Sequence, residues 1–255
     1  MKINNLEIFL DKARSGKLPL GCCITFADPA VTEVACAAGF DFVWIDGEHG
    51  EMDRTVAMQH LMAVKGTGVA SLYRVPACNH TEIKKIIDFA PAGIIVPMVM
   101  DEKDAALAVS ACRYPCHGGD RGCGYRRGWD YGAADTDEYV ETSAHDPIVI
   151  VQLEHIEAAK RIDRILAVPG IDSIVIGPYD FSMSMGKPGQ FDDPEVKAAF
   201  DEACAKVRAK GVLLGVYAEN HFNDWLRRGV QYMGVKNDTN AMLAGFKAAQ
   251  KAVFA

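Results

Sequence analysis

Short runs of apolar residues recur about every 25 to 35 residues along the chain, and segments with helical spacing of apolar residues lie between them. The runs predict eight strands, at residues 18–25, 42–45, 70–74, 93–99, 148–153, 173–176, 212–217 and 232–235. Each run is apolar almost throughout, rather than at alternate positions. The strands are therefore expected to form a parallel sheet that is buried on both faces.

Helix start and stop signals mark the intervening segments. Asp28 and Pro29 begin one helix that Gly39 ends, and Asn79-His80-Thr81-Glu82 begins another. Further helices are predicted over residues 102–112, 158–167 and 194–210. Strand followed by helix, eight times and without a Pro-, Gly- or Ser-rich linker, predicts an α/β fold, a (β/α)8 TIM barrel, as one domain over residues 1–255. A doubly wound sheet is the alternative, and the even spacing favours the closed barrel.

Composition narrows the class of protein. Hydrophobic residues make up 49% of the chain, which excludes disorder, and the formal net charge is −7. With no block of Lys or Arg, neither nucleic acid nor an anionic membrane is an expected partner. The longest nearly uncharged apolar stretch, 92–100, is far shorter than the roughly 20 residues of a membrane span. The N-terminus lacks the apolar segment of a signal peptide, so we expect a cytoplasmic location.

Polar residues interrupt the apolar pattern where the predicted strands end. Barrel enzymes carry their chemistry at the C-terminal ends of the strands, so these residues are the candidate site. From the second strand to the eighth, they are Asp46, Glu48, His49, Arg74, Gln152, Glu154, His155, Gly177, Pro178, Tyr179, Asp180, Glu219, Lys236, Asn237 and Asp238.

Four of these residues suggest a reaction type. Glu154 and Asp180 provide two carboxylates, which suit a hard divalent cation such as Mg2+ or Mn2+ that chelates a 2-oxo acid. Arg74 is placed to stabilise an enolate oxygen, and His49 to act as a general base. Each residue alone also fits a helix cap, an ion pair or a surface position. Their occurrence on one barrel face favours metal-assisted enolate chemistry.

The segment Trp44-Ile45-Asp46-Gly47-Glu48-His49 resembles the Asp-Gly-Glu-His signature of the class II (metal-dependent) pyruvate aldolases, the HpcH/HpaI aldolase family. Further matches follow in the family's order, from about residue 18 to 240: Tyr73-Arg74-Val75-Pro76, Ile94-Ile95-Val96-Pro97-Met98-Val99, Arg113-Tyr114-Pro115, Arg121-Gly122-Cys123-Gly124, Val151-Gln152-Leu153-Glu154, Val168-Pro169-Gly170-Ile171-Asp172 and Ile176-Gly177-Pro178-Tyr179-Asp180-Phe181-Ser182.

The resemblance implies roles for individual residues. His49 would be the acid/base, acting through a metal-bound water, and Asp46 would orient it. Arg74 would stabilise the enolate and carbonyl oxygen. Asp88 matches an aspartate that reaches the histidine from a neighbouring subunit.

The resemblance also implies a metal and a substrate site. Glu154 and Asp180 would ligate Mg2+, Mn2+ or Co2+, and Gln152 would hold the substrate or a metal-bound water. The backbone of Gly177, Pro178, Tyr179 and Asp180 would bind the pyruvate carboxylate. The implied reaction cleaves a 4-hydroxy-2-oxo acid to pyruvate and an aldehyde, reversibly. The implied assembly is a homohexamer, a trimer of dimers, with the C-terminal helix exchanged between subunits.

Other interpretations stay open. A CoA-thioester lyase or decarboxylase on the same barrel is the main alternative, and a non-catalytic barrel is another. Lys236 suggests a Schiff-base aldolase, although an ion pair near Asp238 explains it as well. The cysteine-rich segment 112–123 has a weak likeness to a zinc site. Finally, Arg126 or Arg127, in the long polar segment 114–146, is a candidate to bind an acidic group at the distal end of the substrate.

Overall fold

A computed structural model describes residues 3–253, and its centre is a closed barrel of eight parallel strands in sequential order. The strands are β1 (Leu20–Ile24), β2 (Phe42–Asp46), β3 (Ala70–Arg74), β4 (Gly93–Val96), β5 (Ile148–Leu153), β6 (Ser173–Ile176), β7 (Leu213–Tyr217) and β8 (Tyr232–Asn237). The predicted TIM barrel is therefore confirmed, and the doubly wound sheet is excluded.

Helices surround this barrel. They are α1 (Leu6–Arg14), α2 (Ala30–Ala37), α3 (Arg54–Ala63), α4 (His80–Ile87), α5 (Glu102–Cys112), α6 (Thr136–Thr142), α7 (Ile156–Lys160), α8 (Ile162–Ile165), α9 (Pro178–Ser184), α10 (Pro194–Ala209), α11 (Phe222–Arg228) and α12 (Asp238–Val253). The Asn79 side chain caps α4 by accepting a hydrogen bond from the Glu82 N–H, as predicted. The single helix predicted over 158–167 is wrong, because two short helices meet at Arg161.

Large aromatic side chains fill the inside of the barrel. Phe42 and Tyr232 contact edge to face, and Phe9 of α1 packs against both rings at the N-terminal end of the strands. These rings require glycine on the neighbouring strands. A Cβ on Gly21 would lie 2.2 Å from the Phe42 ring, and one on Gly215 would lie 2.1 Å from the Tyr232 ring. Helix α1 thus closes the end of the barrel opposite the predicted site.

The long polar segment 114–146 connects α5 to β5 and contains α6. A helix of this fold returns the chain to the N-terminal end of the next strand, so this segment lies at the end of the barrel away from the predicted site. The Arg127 guanidinium donates hydrogen bonds to the carbonyls of Phe89 and Leu61. The interpretation of Arg126 or Arg127 as a substrate-binding residue is therefore wrong for the cavity of their own chain.

The zinc interpretation of segment 112–123 is not supported by the structure. Cys112 is buried, Cys116 and Cys123 are exposed, and all three are free thiols. Within residues 3–253, the one group of three side chains close enough to share a metal ion is Asp192, His221 and Asp224, far along the chain from those cysteines.

Helix α12 extends away from the barrel. Apart from Asp238 at its start, its described residues are exposed, including the apolar Met242, Leu243 and Phe246. Beside β8 and β1, a groove of about 440 Å³ is lined by residues Leu18, Leu20, Phe222, Leu226, Met233, Val235 and Lys236. Over residues 3–253, none of the helices has the length and apolar character needed to cross a bilayer.

The contribution of α1 to stability can be measured by truncating Phe9, which packs against the end of the barrel. We expect Phe9→Ala to lower the free energy of unfolding by about 3 to 5 kcal/mol, because this fully buried ring would leave a cavity between Phe42 and Tyr232. Urea denaturation measures the loss. Ile8→Ala, on the exposed side of the same helix, is the control and should change stability by less than about 0.5 kcal/mol. Equal losses in both variants would contradict this account.

Candidate active site

A cavity of about 260 Å³ lies at the C-terminal ends of the strands. Its lining includes the predicted residues Asp46, His49, Arg74, Gln152, Gly177, Pro178, Tyr179, Asp180 and Asn237, together with Cys23, Thr25, Trp44 and Tyr217. A larger hollow of about 640 Å³, between α10 and α11, contains none of the predicted residues. The barrel therefore brings residues from distant parts of the sequence into one place.

An ion-pair network joins β2 to β3 at this cavity. Asp46 lies opposite Arg74 in the strand register, and its carboxylate accepts hydrogen bonds from Arg74 Nε at 2.9 Å and Nη2 at 2.6 Å. The Glu48 carboxylate lies 2.8 Å from Arg74 Nη1. Burial lowers the pKa of Arg74, but the hydrogen bond to Asp46 and the two negative charges outweigh it and raise that pKa. The guanidinium is thus a fixed positive charge in the cavity wall.

His49 lies at the rim of the cavity, with its side chain 67% exposed. Its backbone N–H donates to Asp46 Oδ1 at 3.2 Å, and its ring Nε2 lies 3.8 Å from the Glu48 carboxylate. Asp46 therefore holds the backbone of His49, while Glu48 is the carboxylate beside the ring. The ring remains accessible to a ligand in the cavity.

Glu154 is almost fully buried and does not itself line the cavity; it lies against Gln152 and Gly177, which do. One carboxylate oxygen accepts the Met98 N–H at 2.7 Å, and the other accepts a hydrogen bond from the Gln152 amide. Met98 has a φ of 51°, which is unusual for a residue other than glycine, and β4 accordingly ends at Val96 rather than at the predicted residue 99. The backbone thus turns out of the strand where it donates to Glu154.

Gly177 and Asp180 bring β6 and α9 close to Glu154. A Cβ on Gly177 would lie 3.0 Å from Glu154 Oε2, so glycine allows this close approach. Asp180 is exposed in the first turn of α9 and lines the cavity. A second pair of carboxylates, in addition to Asp46 and Glu48, therefore lies on the β5–β6 side.

The donor set on that side fits a divalent cation. Burial raises the pKa of Glu154 to about 7, and the nearby negative charges of Glu48 and Asp180 contribute to the increase. The side-chain oxygen of Gln152 is buried without a hydrogen-bond partner among residues 3–253. A bound cation would offset the repulsion between these carboxylates, and oxygen ligands of this kind suit Mg2+ or Mn2+.

Several predicted residues have other contacts in the single chain. Asp88 follows α4, at the opposite end of the barrel, with Oδ1 3.4 Å from Arg121 Nη2. Lys236 donates to Glu219 rather than to Asp238. His155 caps α7 by accepting a hydrogen bond from the Glu157 N–H. The Asp238 carboxylate accepts hydrogen bonds from the backbone N–H groups of Thr25 and Phe26. Both residues therefore have structural contacts, and neither is part of the cavity lining.

Sequence reasoning missed four residues of the lining. Cys23, Thr25, Trp44 and Tyr217 belong to the apolar strands or their immediate ends, where polar interruptions do not reveal them. The alternation of side chains along β2 contains a usable signal, because Trp44 lies two positions before Asp46 and so faces the same side of the strand.

Together, the closed barrel and this cavity have the arrangement of a barrel enzyme, with two carboxylates that could hold a cation, a fixed arginine and an accessible histidine. The family model described as HpcH/HpaI aldolase/citrate lyase matches residues 20–243. The chain belongs to this family and is a carbon–carbon lyase.

Individual relatives agree with this assignment. The chain is 33% identical to a hydroxypyruvate/pyruvate aldolase of Roseovarius nubinhibens over 92% of each chain. It is 32% identical to a 5-keto-4-deoxy-D-glucarate aldolase of Salmonella arizonae over 90% of each. An HpcH/HpaI aldolase/citrate lyase family structure from Burkholderia cenocepacia superimposes with a TM-score of 0.88 at 27% identity, covering 96% of this chain and 98% of the other.

The raised pKa of Glu154 predicts how stability depends on pH without metal. Between pH 4.5 and about 7, the folded protein keeps a proton that the unfolded chain releases, so the contribution of Glu154 to stability falls as pH rises. Relative to Glu154→Gln, the free energy of unfolding of the wild type should fall by on the order of 3 kcal/mol between pH 5 and pH 8. Urea denaturation in EDTA measures this difference. The exposed control Glu202→Gln should follow the wild type, and parallel curves for Glu154→Gln and the wild type would contradict the prediction.

Proposed function

We propose that this protein is a divalent-metal-dependent aldolase that cleaves a 4-hydroxy-2-oxo acid to pyruvate and an aldehyde, and that it catalyses the reverse addition. The observation that carries the proposal is the convergence of Arg74, His49 and Asp180 on one cavity, with Glu154 hydrogen-bonded to Gln152 of the cavity wall. The relatives named as aldolases support the same reaction type.

Glu154 and Asp180 are the residues that would hold the metal, with Gln152 beside them. When bound, a divalent cation supplies Lewis-acid polarisation of the oxo acid. We propose Mg2+, Mn2+ or Co2+, since oxygen donors form this side of the cavity. Gly177, Pro178 and Tyr179 provide the backbone that would receive the substrate carboxylate.

The chain's own groups account for the proton and charge movements. In cleavage, His49 takes the proton of the 4-hydroxyl group, the C3–C4 bond breaks, and the aldehyde forms. The electron pair of that bond passes to the pyruvate enolate, and protonation at C3 gives pyruvate. Arg74 stabilises the negative charge on the C2 oxygen, since the carboxylates of Asp46 and Glu48 hold its guanidinium in place. Asp46 also fixes the backbone of His49.

The enolate half of the reaction can be tested without the aldehyde. We expect the protein to exchange the methyl protons of pyruvate in D2O, followed by NMR, only when Mg2+, Mn2+ or Co2+ is added after EDTA treatment. His49→Ala should lower the exchange rate by about 100- to 10,000-fold, because it removes the acid/base. His145→Ala, at an exposed position on the other end of the barrel, is the control. Failure of every metal to support exchange in the wild type would refute the proposed aldolase.

We also propose that the protein assembles as a homohexamer, a trimer of dimers, with α12 exchanged between subunits and Asp88 acting on the His49 of a neighbouring subunit. The exposed apolar residues of α12 and the apolar groove beside β8 and β1 support an exchange. Asp88 lies at the opposite end of the barrel from its own cavity, so only another copy can bring it to a histidine of this kind. The cytoplasmic location expected from the N-terminal sequence stays a prediction.

Helix exchange predicts that one exposed phenylalanine determines assembly. Phe246→Glu should dissociate the oligomer in sedimentation velocity, because it places a charge on the apolar face formed with Met242 and Leu243. Lys247→Glu, on the neighbouring exposed position of α12, is the matched control and should leave the sedimentation coefficient unchanged. An unchanged oligomer in Phe246→Glu would contradict the exchange.

A further inference from the structure

Trp44 presents a polar group whose purpose the proposed mechanism does not explain. The side chain is 3% exposed and lines the cavity, yet its indole Nε1 has no hydrogen-bond partner among residues 3–253. Buried polar groups in folded proteins almost always have a partner, and each exception calls for an explanation. An indole N–H can donate a hydrogen bond but cannot accept one. The missing partner is therefore an acceptor atom.

The neighbouring donor side chains of the cavity wall each have a partner within the chain. Arg74 binds the carboxylates of Asp46 and Glu48, and the Tyr217 hydroxyl donates to Glu219 at 2.8 Å. The Gln152 amide nitrogen donates to Glu154. Among the buried nitrogen and oxygen donors that line this cavity in residues 3–253, the Trp44 indole is the one without a partner.

The order of the strands shows which part of a substrate Trp44 faces. In a closed barrel of eight sequential strands, β2 lies across the barrel from β6, and β1 from β5. Trp44 is on β2, whereas Glu154 and Asp180 follow β5 and β6. Arg74, on β3, lies between these sides, with its guanidinium carbon 5.5 Å from the Trp44 ring. A 2-oxo acid held by its carboxylate and keto oxygen on the β5–β6 side would therefore direct C3 towards the Trp44 side.

We propose that the Trp44 indole N–H donates a hydrogen bond to an oxygen substituent on C3 of the bound 2-oxo acid, and that Trp44 thereby makes the site prefer a 3-hydroxylated donor over a 3-alkyl one. This inference rests on the proposed aldolase function. A hydroxyl group on C3 provides the acceptor that Nε1 lacks. A methyl group of similar size fills the same space without providing it, and so leaves the buried donor unpaired.

The experiment compares two donors that differ in this one group, hydroxypyruvate and 2-oxobutanoate. Exchange of their C3 protons in D2O with Mg2+ gives kcat/KM for each, corrected for exchange without enzyme. The wild type should prefer hydroxypyruvate, and Trp44→Phe should lower the preference ratio about three- to tenfold, as expected for the loss of one hydrogen bond. The ratio is the readout, because a change in packing affects both donors. No preference in the wild type, or the same ratio in Trp44→Phe, would overturn the inference.

The matched control is Trp225→Phe. Trp225 is equally buried, but it packs against Phe200 and Arg228 and is not part of the cavity lining. This variant should keep the wild-type ratio. Circular dichroism and thermal unfolding establish that each variant is folded.

A binding measurement covers the case in which Trp44→Phe does not fold. In the Trp129→Phe/Trp225→Phe protein, Trp44 is the only remaining tryptophan, since the chain has three. Its emission should shift to longer wavelength with hydroxypyruvate and remain unshifted with 2-oxobutanoate. Equal responses to the two acids would refute the hydrogen bond.

The two proposals fail in different ways. Absence of exchange with pyruvate, hydroxypyruvate and 2-oxobutanoate alike in the wild type would refute the proposed aldolase function. Exchange of all three acids without a Trp44-dependent preference would refute only the assignment of Trp44.

Discussion

The buried ion pair between Arg74 and Asp46 joins β2 to β3 at the carboxyl end of the barrel, and the geometry of the cavity depends on it. Two hydrogen bonds in a planar arrangement fix the guanidinium, and Glu48 adds a third contact. Removing one member of such a pair leaves an uncompensated buried charge, which typically costs about 3 to 5 kcal/mol. Asp46 also accepts hydrogen bonds from the backbone N–H groups of Glu48 and His49. The same carboxylate therefore positions the Arg74 guanidinium, the turn after β2 and the backbone of His49.

The cavity wall is divided by charge. Glu154 and Asp180 follow β5 and β6, the carboxylates of Asp46 and Glu48 are paired with the Arg74 guanidinium on the β2–β3 side, and neutral side chains such as Trp44 and Tyr217 line the remaining wall. This division follows from the closed order of the strands, since residues distant in sequence face one another across the barrel. A small oxo acid is therefore oriented by where it can place its negative charge. The neutral side chains of the wall, such as Trp44 and Tyr217, then distinguish between acids with different substituents.

Much of this organisation could be predicted from the sequence, because the relevant signals are local. The bounds of β3, β5 and β6 match the predictions, since uninterrupted apolar runs end there at polar residues. The polar residues at strand ends converge on one cavity because a barrel places all of these ends on one face. Other features depend on contacts between distant segments. The pairing of Asp46 with Arg74, the burial of Trp44 beside the cavity and the early end of β4 leave no mark in local spacing. The location of segment 114–146 follows from the direction of the chain after α5. The arginines in this segment suggested substrate binding, but its composition does not show at which end of the barrel it lies.

Met98 shows how the peptide backbone can determine the chemistry of a carboxyl group. The hydrogen bond that its N–H donates to Glu154 lowers the pKa of that carboxyl against the larger effect of burial. The donor is a main-chain group, held in a left-handed turn just after β4, and the Met98 side chain takes no part in it. Two relatives with the same glutamate can therefore bind protons and cations with different strengths if the path of the chain after β4 differs. An alignment of side chains would show these relatives as identical.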